Sequence, residues 1–526
     1  MNNKPKKLGL NVSIFENFVN NNRIYIDKTK IIYNLITAQD NEHFYFVSRP
    51  RRFGKSLFIS TLKQLFLGKK ELFDEYWIGK HSNYDWPKHP IIHIDFGGIA
   101  HGTAEEFKTS LSFSLHTIAR QYNIEKLEGL NPGDILKELV EKLAETAKVV
   151  LLIDEYDKPL VDHIDNLPLA EENRKILSSF YTTVKSLEEN WRAIFITGVS
   201  KFTRTSLFSG LNNLKELTFD PVAAELFGYT YEELITYLAP RIDDLAKHLG
   251  KTREETLDNM KLWYNGYRFS KDMQKAQMYN PLSVVACLND KEFSNIWFNT
   301  GSPSFLVPLL RMKGTSLEMP DVIEATSSSF DTFDLKNIPV ITLLLQTGYL
   351  TIIGYDAKTE TFTLDYPNRE VRESFKKYLM LAFAYATPET LDMALIRMRR
   401  ALARKDFEEF CKAIKSLFAS IPYNLHIAAE DYYHSLFHLM FDMLSMRPQS
   451  EVATSHGRSD LVLETAHDIF VFEFKYDKSA QEAFDQIIRK KYYEKYMYIG
   501  KPITLVGIDM NLKDKELKLE WMQQSL

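Results

Sequence analysis

Short apolar runs alternate with longer stretches of helical period through the first 220 residues of the chain. The runs are rich in Ile, Val and Phe, and they fall at 44–48, 90–96, 148–153 and 192–197. Strands buried on both faces of a sheet have this continuous apolar character, and their alternation with helices is typical of a parallel sheet. The pattern therefore predicts an α/β core from about 20 to 220, and we assign 1–220 to this domain.

Beyond this domain the spacing of apolar residues becomes helical, which predicts a small helical lid-like module over 221–335. The next segment, 336–425, combines further helical pattern with one helix and two strands around a polar turn at 338–366. That outline is typical of a winged helix. It assigns no function by itself, because such modules serve either for DNA binding or for packing.

The last segment, 426–526, begins with helical pattern and then returns to short apolar strands. The strands are EVATS, SDLVLET, IFVFEFKY and ITLVGIDM, and one helix is predicted over 479–496. This mixture predicts a compact α/β unit at the end of the chain. The protein as a whole is therefore predicted to be a multidomain α/β protein.

The composition fits an ordinary globular protein of several domains, with 526 residues, 45% hydrophobic and 26% charged. Cys287 and Cys411 lie far apart without metal-ligand spacing, so we expect a reducing, cytoplasmic setting. No apolar run reaches the length of about 18 residues that a membrane helix needs. The net charge of −5 means that any nucleic-acid contact must come from local basic patches.

A candidate phosphate-binding loop follows the first predicted strand. Gly54, Lys55 and Ser56 end the sequence RPRRFGKS and open a helical stretch. In such loops the helix N-terminus and the lysine contact phosphates, and the hydroxyl binds Mg²⁺. Arg49 stands where the full pattern has a glycine, so Pro50 and the further guanidinium groups, including that of Arg52, are expected to shape a different loop. The alternative interpretation is a surface turn before a helix.

Carboxylates follow the apolar strand 149–153, as the nucleotide interpretation requires. Asp154 is predicted to hold Mg²⁺ and Glu155 to polarise the attacking water. The alternative is a helix cap or a turn. At the end of the next strand, Thr197, Ser200 and Arg204 are candidates for sensing the outer phosphate of ATP, with ordinary strand-end polarity as the alternative.

A second set of charged residues lies near the C-terminus. Asp460 begins one predicted strand, and Glu473 and Lys475 stand two apart on the next, so they share one face. Two carboxylates and a lysine are what a magnesium-dependent nuclease needs to hold metal and offset transition-state charge. The alternative is a cross-strand ion pair on a solvated face. Phe472 and Phe474 favour catalysis, because the strand is apolar on both faces.

The helices that flank these strands carry further candidates. Glu430 is a candidate metal ligand on the preceding helix, and Gln486 is a candidate catalytic residue on the following helix. Basic and aromatic residues then alternate: Arg489, Lys490, Lys491 and Lys495 with Tyr492, Tyr493 and Tyr496. Such a run can grip phosphates and stack bases, or it can be a solvated face over a tyrosine-lined core.

These motifs together resemble a bacterial family in which an AAA-ATPase-like domain precedes a PD-(D/E)XK nuclease-superfamily domain. The likeness extends over nearly the whole chain and includes YIDKT, RPRRFGKSL, LIDEYDKPL, TGVSKFTRTSLFSGLNNL, WYNGYRF, YNP, GRSDLVLE and FEFK. It implies a P-loop NTPase sheet, ATP and Mg²⁺ as cofactors, and Arg49 as a loop variant of the family. It also implies Asp460, Glu473 and Lys475 as the nuclease core, although Ser459 stands where the superfamily name has proline.

The leading hypothesis is a cytoplasmic ATPase and ATP-dependent or ATP-regulated, magnesium-dependent deoxyribonuclease. The alternative is a nucleotide-switched scaffold that binds DNA or protein through an inactive nuclease fold. A third interpretation, an ATPase with a degenerate C-terminal domain and a protein partner, has no DNA affinity. RNA stays open as a substrate, because nothing in the sequence reads the 2′-hydroxyl. The resemblance to AAA-type ATPases also suggests a homo-oligomer, and no membrane association is expected.

Overall fold

The computed structural model describes residues 6–38, 44–201, 213–297, 307, 323–330, 339–421, 430–444, 448–450, 453–454, 457–458, 461–465, 467–513 and 516–526. Their contacts divide the chain into two compact units. The first unit combines Met1–Leu309 with Glu324–Arg372, and the second combines Leu310–Ile323 with Glu373–Leu526. The division into four domains that the sequence analysis predicts is finer than these two units, and it stays a prediction.

The first unit contains a five-stranded parallel sheet, as the apolar runs predict. Its strands are β1 Phe44–Ser48, β2 Ile91–Asp95, β3 Val149–Asp154, β4 Trp191–Gly198 and β5 Lys215–Glu216. The spatial order is β2-β3-β4-β1-β5, with parallel pairing throughout. Every residue of β1 and β3 is buried, which is why these strands have no polar face. The short β5 was not predicted.

Helices cover both faces of this sheet. In chain order they are Phe15–Asn20, Thr29–Ile36, Lys55–Phe66, Trp77–His81, Ala104–Gln121, Pro132–Ala144, Lys158–Val161 and Leu167–Ser186, with short 3-10 turns at Lys70–Leu72, Phe96–Gly98, Glu188–Asn190 and Pro221–Ala223. Leu111, Leu139 and Leu177 pack with Leu151 and Ile194 in the main core on one face. On the other face Phe58 packs edge-on against Phe195. The domain is therefore a layered α/β structure with its sheet enclosed.

In the described part of 221–335, four helices follow the sheet and form a core of their own. They are Tyr231–Tyr237, Ala239–Leu249, Arg253–Tyr264 and Pro281–Asp290. Capping boxes begin two of them, with Thr230 and Thr252 as the N-cap residues. Leu234, Ile242 and Met260 are buried in this second cluster. The predicted helical module is thus present.

The winged-helix-like outline is also present. Helix Val340–Thr347 precedes the antiparallel strands β7 Thr351–Asp356 and β8 Thr361–Asp365. A third strand, β6 Ile323–Ala325, was not predicted, and it gives the sheet the order β6-β8-β7. A 3-10 turn spans Ser327–Phe330.

Helices of the second unit precede its sheet. Helix Arg369–Phe383 begins in the first unit and continues into the second, followed by Pro388–Arg404, Phe407–Phe418, Glu430–Leu444 and, later, Ala480–Lys490. Within the described part of the chain no single helix has the length and apolar character to cross a membrane. The pair Arg369–Phe383 and Pro388–Arg404, bent by 110°, meets the length and composition criteria together.

The second unit has a five-stranded mixed sheet of order β15-β14-β13-β12-β9. The strands of this unit are β9 Pro448–Ser450, β10 Ala453–Thr454, β11 Gly457–Arg458, β12 Leu461–Glu464, β13 Ile469–Tyr476, β14 Ile503–Lys513 and β15 Glu516–Ser525. β13 and β14 are parallel, and the other pairs of the sheet are antiparallel. A separate antiparallel pair joins β10 and β11.

Two predictions for this unit are corrected. The helix expected over 479–496 ends at Lys490, because Lys491 takes a left-handed conformation with φ of 51°, and a 3-10 helix then spans Glu494–Ile499. The edge strand β15 was missed, since its sequence ELKLEWMQQS lacks the apolar run of a central strand. The sheet is therefore larger than the sequence indicates.

Candidate nucleotide and nuclease sites

The candidate phosphate-binding loop lies between β1 and helix Lys55–Phe66, at the position that the sequence predicts. Gly54 takes a left-handed conformation with φ of 92°, and no side chain caps the helix. The N–H groups of this helix start therefore suit an anion. Lys55 is buried, and its ammonium donates to the carbonyl oxygens of Arg49 at 2.9 Å and Pro50 at 3.0 Å. Ser56 is exposed in the first turn.

Carboxylates surround Lys55 on the side of β3. Burial lowers the pKa of Lys55, and the nearby carboxylates of Asp154, Glu155 and Asp157 oppose that change. A buried ammonium beside an open helix N-terminus and a group of carboxylates fits the phosphates and the metal of a bound nucleotide. The residues that the structure describes here thus suit ATP and Mg²⁺.

Arg49 explains how the loop forms without its first glycine. Its guanidinium is fully buried and donates to the carbonyl oxygens of Ser48, Thr218 and Ala223. It also stacks 4.3 Å from the ring centre of Phe269, and burial lowers its pKa to about 9. Arg49 therefore fastens the loop to a neighbouring segment and offers no charge to a phosphate.

Arg52 provides the unusual backbone geometry of the loop instead. It has a φ of 69°, a conformation that costs most residues roughly 1–2 kcal/mol. Its side chain is exposed, so the predicted contact with nucleotide stays a prediction. The loop thus has a positive φ at Arg52 and at Gly54.

Asp154 and Glu155 end β3, where the nucleotide interpretation places them. Asp154 is buried and accepts hydrogen bonds from Thr197 Oγ1 at 2.5 Å and from the backbone N–H of Glu155. Glu155 is half-buried with a φ of 52°, and burial raises its pKa. A Cβ on Gly97 would lie 2.7 Å from Glu155 Oε2, so the turn after β2 closes tightly on this carboxylate.

Asp157 is a site residue that the sequence interpretation missed. It is buried and accepts from the backbone N–H groups of Val199 and Ser200 and from the Ser200 hydroxyl, at 2.6–3.2 Å. Burial raises its pKa, although the bonds from Ser200 act in the opposite direction. Asp157 thus ties the end of β4 to the turn after β3. Its position three residues after Asp154 was the available signal.

Ser200 and Arg204 were predicted to sense the outer phosphate. The hydroxyl of Ser200 is directed to Asp157, so in this structure it positions a loop. Arg204 lies outside the described residues. Thr197, the third candidate, contacts Asp154.

Trp297 and Glu370 brace the loop from a distant part of the first unit and were also missed. The indole N–H of Trp297 donates to the carbonyl oxygen of Arg51 at 2.9 Å. Glu370 accepts from the backbone N–H groups of Ile296 and Trp297 and from the hydroxyl of Ser283. Burial raises the pKa of Glu370 to about 7.

A pocket opens beside Glu155 with a volume of about 540 Å³, including the part open to solvent. Its lining combines charged residues with two aromatic rings: Arg51, Glu155, Asp157, Lys158, Val161, Asp162, Val199, Trp297, Thr347 and Tyr349. Ligand sites typically combine an apolar wall with a few polar groups in this way. The pocket is therefore an open cleft that lies beside the end of β3 and contains both charged and aromatic groups.

The candidate nuclease centre lies on β13. Glu473 is 0% exposed, and the ammonium of Lys475 lies 3.2 Å from its Oε1. The side-chain amide of Gln486, on helix Ala480–Lys490, donates to the same oxygen. This amide also lies 3.4 Å from the hydroxyl oxygen of Tyr492. Three of the predicted catalytic residues are therefore together.

The alternation along β13 is as predicted. Glu473 and Lys475 face helix Ala480–Lys490, whereas Phe474 packs on the opposite side against Phe437 and Phe441. The alternative interpretation, an ion pair on a solvated face, does not apply to Glu473, because this carboxylate is enclosed. Burial of a carboxylate is costly without partners, and Lys475 and Gln486 provide them.

Asp460 and Glu430 were also predicted as metal ligands of the nuclease centre. Asp460 lies outside the described residues, although the register of β12 and β13 places its neighbour Leu461 opposite Phe472. The side chain of Glu430 also lies outside them. Among the described residues, no group of three or more His, Cys, Asp or Glu side chains is arranged to hold a metal ion.

Asp509 is a further carboxylate that the sequence interpretation missed. It is fully buried on β14, directly opposite Lys475 in the parallel register. It accepts from the backbone N–H of Lys478 at 3.0 Å and from the side-chain amide of Asn511. Asp509 thus fixes the turn that leads from Lys475 into the helix carrying Gln486.

Comparisons with known proteins find similarity in two parts of the chain. A family described as predicted AAA-ATPase matches residues 9–208, and the PD-(D/E)XK nuclease superfamily matches residues 428–520. A relative from Azotobacter chroococcum mcd 1, named "Uncharacterized protein in vnfD 5'region", is 32% identical over 538 residues, with 99% of each chain covered. No solved structure matches the chain. The chain therefore belongs to the family that joins an AAA-ATPase-like domain to a C-terminal PD-(D/E)XK nuclease-superfamily domain.

Proposed function

We propose that this protein binds ATP and cuts DNA in a magnesium-dependent reaction that its nucleotide state regulates. The observation that carries the proposal is the convergence of Lys475 and Gln486 on the buried Glu473, in a chain that also has a formed phosphate loop. The two domains indicate hydrolase chemistry in general. DNA as the substrate, coupling between the domains and a cytoplasmic location are parts of the proposal.

In the nucleotide half, Lys55 and the helix start would hold the phosphates, while Ser56 and Asp154 would hold Mg²⁺. Bound Mg²⁺ offsets charge on phosphate oxygens. Glu155 would polarise the attacking water, and its raised pKa makes it a stronger base than an exposed glutamate. Asp157 holds the residues that follow β4 close to these groups, because it accepts a hydrogen bond from the backbone N–H of Ser200.

In the nuclease half, Glu473 would hold the metal together with Asp460. Lys475 stabilises negative charge that develops on the phosphate as the phosphodiester breaks. Gln486 orients Glu473, since its amide donates to one of the carboxylate oxygens. Glu473 therefore needs both neighbours to be in place before a metal binds.

The test is cleavage of labelled linear and circular DNA by the full-length protein with Mg²⁺ or with a chelator. We expect cutting by the wild type in Mg²⁺ and its loss in Glu473→Gln and Lys475→Met. Glu254→Gln, an exposed Glu on a helix of the first unit, is the control and should cut normally. Cutting that persists in Glu473→Gln at the wild-type rate would overturn the assignment.

A second candidate is a nucleotide-switched scaffold whose nuclease fold binds without cutting. The complete burial of Glu473 favours it, because an enclosed carboxylate is not accessible to a metal without some rearrangement. In this case DNA binding survives in Glu473→Gln, and neither the wild type nor the variant cuts. The cleavage assay together with a DNA-binding measurement on the same two proteins therefore separates the two functions.

A further inference from the structure

We propose that residues 488–499 form a docking surface for single-stranded nucleic acid, which we call the strand surface. This inference rests on the proposed nuclease function and names the form of substrate that reaches Glu473. The segment contains the end of helix Ala480–Lys490 and the 3-10 helix Glu494–Ile499. Charge, exposed rings and the path to the nuclease centre each support it.

The strand surface is cationic in a protein that is acidic overall. It carries four basic side chains and one acidic side chain: Arg489, Lys490, Lys491, Lys495 and Glu494. Glu494 lies 3.0 Å from Lys491, which leaves the other cations without a carboxylate of the same segment. The whole chain has a net charge of −5, so this local excess gives phosphates a specific place to bind.

Large apolar side chains project from the same segment. Tyr498 is 93% exposed, and Met497, Ile499 and Ile488 are also exposed. Tyr496 is buried in the core beside β14, which anchors the 3-10 helix and turns Tyr498 outward. An exposed tyrosine ring among basic residues is a stacking platform for a base.

This arrangement corrects the sequence interpretation of the tyrosines. Tyr492 and Tyr496 belong to the buried cluster and cannot stack on an incoming base. Their rings instead form the tyrosine-lined core edge that was the alternative interpretation. The exposed ring is that of Tyr498, which the sequence pattern did not distinguish.

The strand surface begins next to the nuclease centre. Gln486 contacts Glu473, and Lys490 follows four residues later on the same face of the helix, about 6 Å along its axis. Tyr492 follows the helix, and its hydroxyl oxygen lies 3.4 Å from the Gln486 amide nitrogen. The start of the strand surface is therefore next to Gln486. A strand bound along the lysines therefore lies next to a residue that contacts Glu473.

A single strand fits this surface better than a duplex. Bases in a duplex are stacked on one another, so an isolated ring finds no exposed base face along the helix. A flexible single strand offers every base face for stacking while its phosphates meet the lysines. The predicted occupant is therefore unpaired nucleic acid, such as a strand end, a flap or a loop.

The first test measures binding of a fluorescein-labelled oligothymidine of about 20 nucleotides to the full-length protein by anisotropy. All binding is measured in a chelator, and Glu473→Gln is included so that cutting is also prevented by mutation. The wild type in the chelator gives the reference affinity of a folded protein. We expect Tyr498→Ala to weaken strand binding about tenfold. Tyr498→Phe should bind normally, whereas Tyr498→Leu should resemble Tyr498→Ala, because a base stacks on a ring and not on an aliphatic group.

The second test removes charge. Lys490→Gln with Lys495→Gln should lower the slope of log affinity against log salt by about 1.4, close to 0.7 for each lost contact. Lys412→Gln, on the exposed face of helix Phe407–Phe418, is the matched control and should change neither affinity nor slope. A blunt duplex of the same sequence should be insensitive to Tyr498→Ala.

The outcomes separate this inference from the proposed function. If the wild type cuts DNA but Tyr498→Ala and the double lysine variant bind the strand normally, the strand surface is wrong and the nuclease proposal stands. If the strand binds through Tyr498 but nothing is cut, the nuclease proposal fails. A surface that docks a protein gives no measurable strand affinity in the wild type, and that result also overturns the inference.

Discussion

Gln486 donates its side-chain amide to Oε1 of Glu473, the fully buried carboxylate of β13. The two residues lie on different elements, the helix Ala480–Lys490 and the strand before it. Their contact makes the position of the helix a determinant of the carboxylate orientation. Lys475 shares the same oxygen, so the centre is a connected polar group inside an apolar layer.

Removing the amide should weaken the nuclease centre. In Gln486→Ala the carboxylate keeps Lys475 but loses its second partner, and outer partners of metal ligands typically change metal affinity by about 10–100-fold. We therefore expect DNA cutting to need correspondingly more Mg²⁺. Gln481→Ala, on the same helix but exposed, is the control and should titrate like the wild type. An unchanged Mg²⁺ dependence in Gln486→Ala would contradict this role.

Asp157 should matter for ATP turnover more than for ATP binding. Asp157→Asn places an amide donor against the N–H groups of Val199 and Ser200, which costs about 1–3 kcal/mol for a buried mismatch. We expect kcat for ATP hydrolysis to fall at least about tenfold with a small change in KM. Asp165→Asn, exposed in the same domain, should leave both constants unchanged. Equal kcat values for Asp157→Asn and the wild type would refute the positioning role.

The indole N–H of Trp297 should help to preform the phosphate loop. Trp297→Phe keeps a ring beside Tyr349 but removes the donor to the Arg51 carbonyl. A lost buried hydrogen bond of this kind is worth about 1 kcal/mol, so ATP affinity should fall roughly fivefold. Calorimetric titration with a non-hydrolysable ATP analogue measures this affinity. Trp263→Phe is the control variant and should keep the wild-type affinity for ATP. An equal loss of ATP affinity in both variants would show a general packing effect.

Glu370 should make the stability of the first unit depend on pH. Its pKa is about 7 in the folded protein against an ordinary 4.5, so the folded state holds the proton more tightly than the unfolded state. Its contribution to stability is therefore present below about pH 4.5 and is lost as the pH rises through about 7. Over that range the loss is about 3 kcal/mol.

Glu370→Gln tests this relationship, because the amide keeps an acceptor for the N–H groups of Ile296 and Trp297 but does not titrate. We expect the variant to lose less stability than the wild type between about pH 5 and about pH 7. Chemical unfolding followed by tryptophan fluorescence at several pH values gives the comparison. Identical pH profiles for the two proteins would show that Glu370 does not titrate in this range.

Much of the fold was accessible from sequence because the central strands are apolar on both faces. Three predicted strands agree with the structure to within one residue at each end: 44–48 with β1, 148–153 with β3 and 192–197 with β4. The strands β5 and β6 were missed because two or three residues are too few to form a recognisable apolar run, and the edge strand β15 was missed because most of its side chains are not buried. The helix after β13 was drawn too long, because nothing in KKYYEKY marks the left-handed turn at Lys491.

The candidate sites were accessible where chemistry and local spacing coincide. Glu473 and Lys475 share a face through the period of a strand, and Lys55 follows the loop that holds it. Glu370 and Trp297 were missed because their contacts reach residues that are 73 to 246 positions away in the chain. A burial pattern cannot show such pairings. The exposure of Tyr498 likewise depends on which neighbouring tyrosines enter the core.

The central claim is that nucleotide binding at Lys55 governs phosphodiester cleavage at Glu473. The direct measurement is the rate of cutting of a labelled DNA strand in Mg²⁺ by the full-length protein, with and without ATP, for the wild type and Lys55→Ala. The account predicts that ATP changes the wild-type rate and leaves the rate of Lys55→Ala unchanged. Cutting that is indifferent to ATP in the wild type and equal in Lys55→Ala would contradict it.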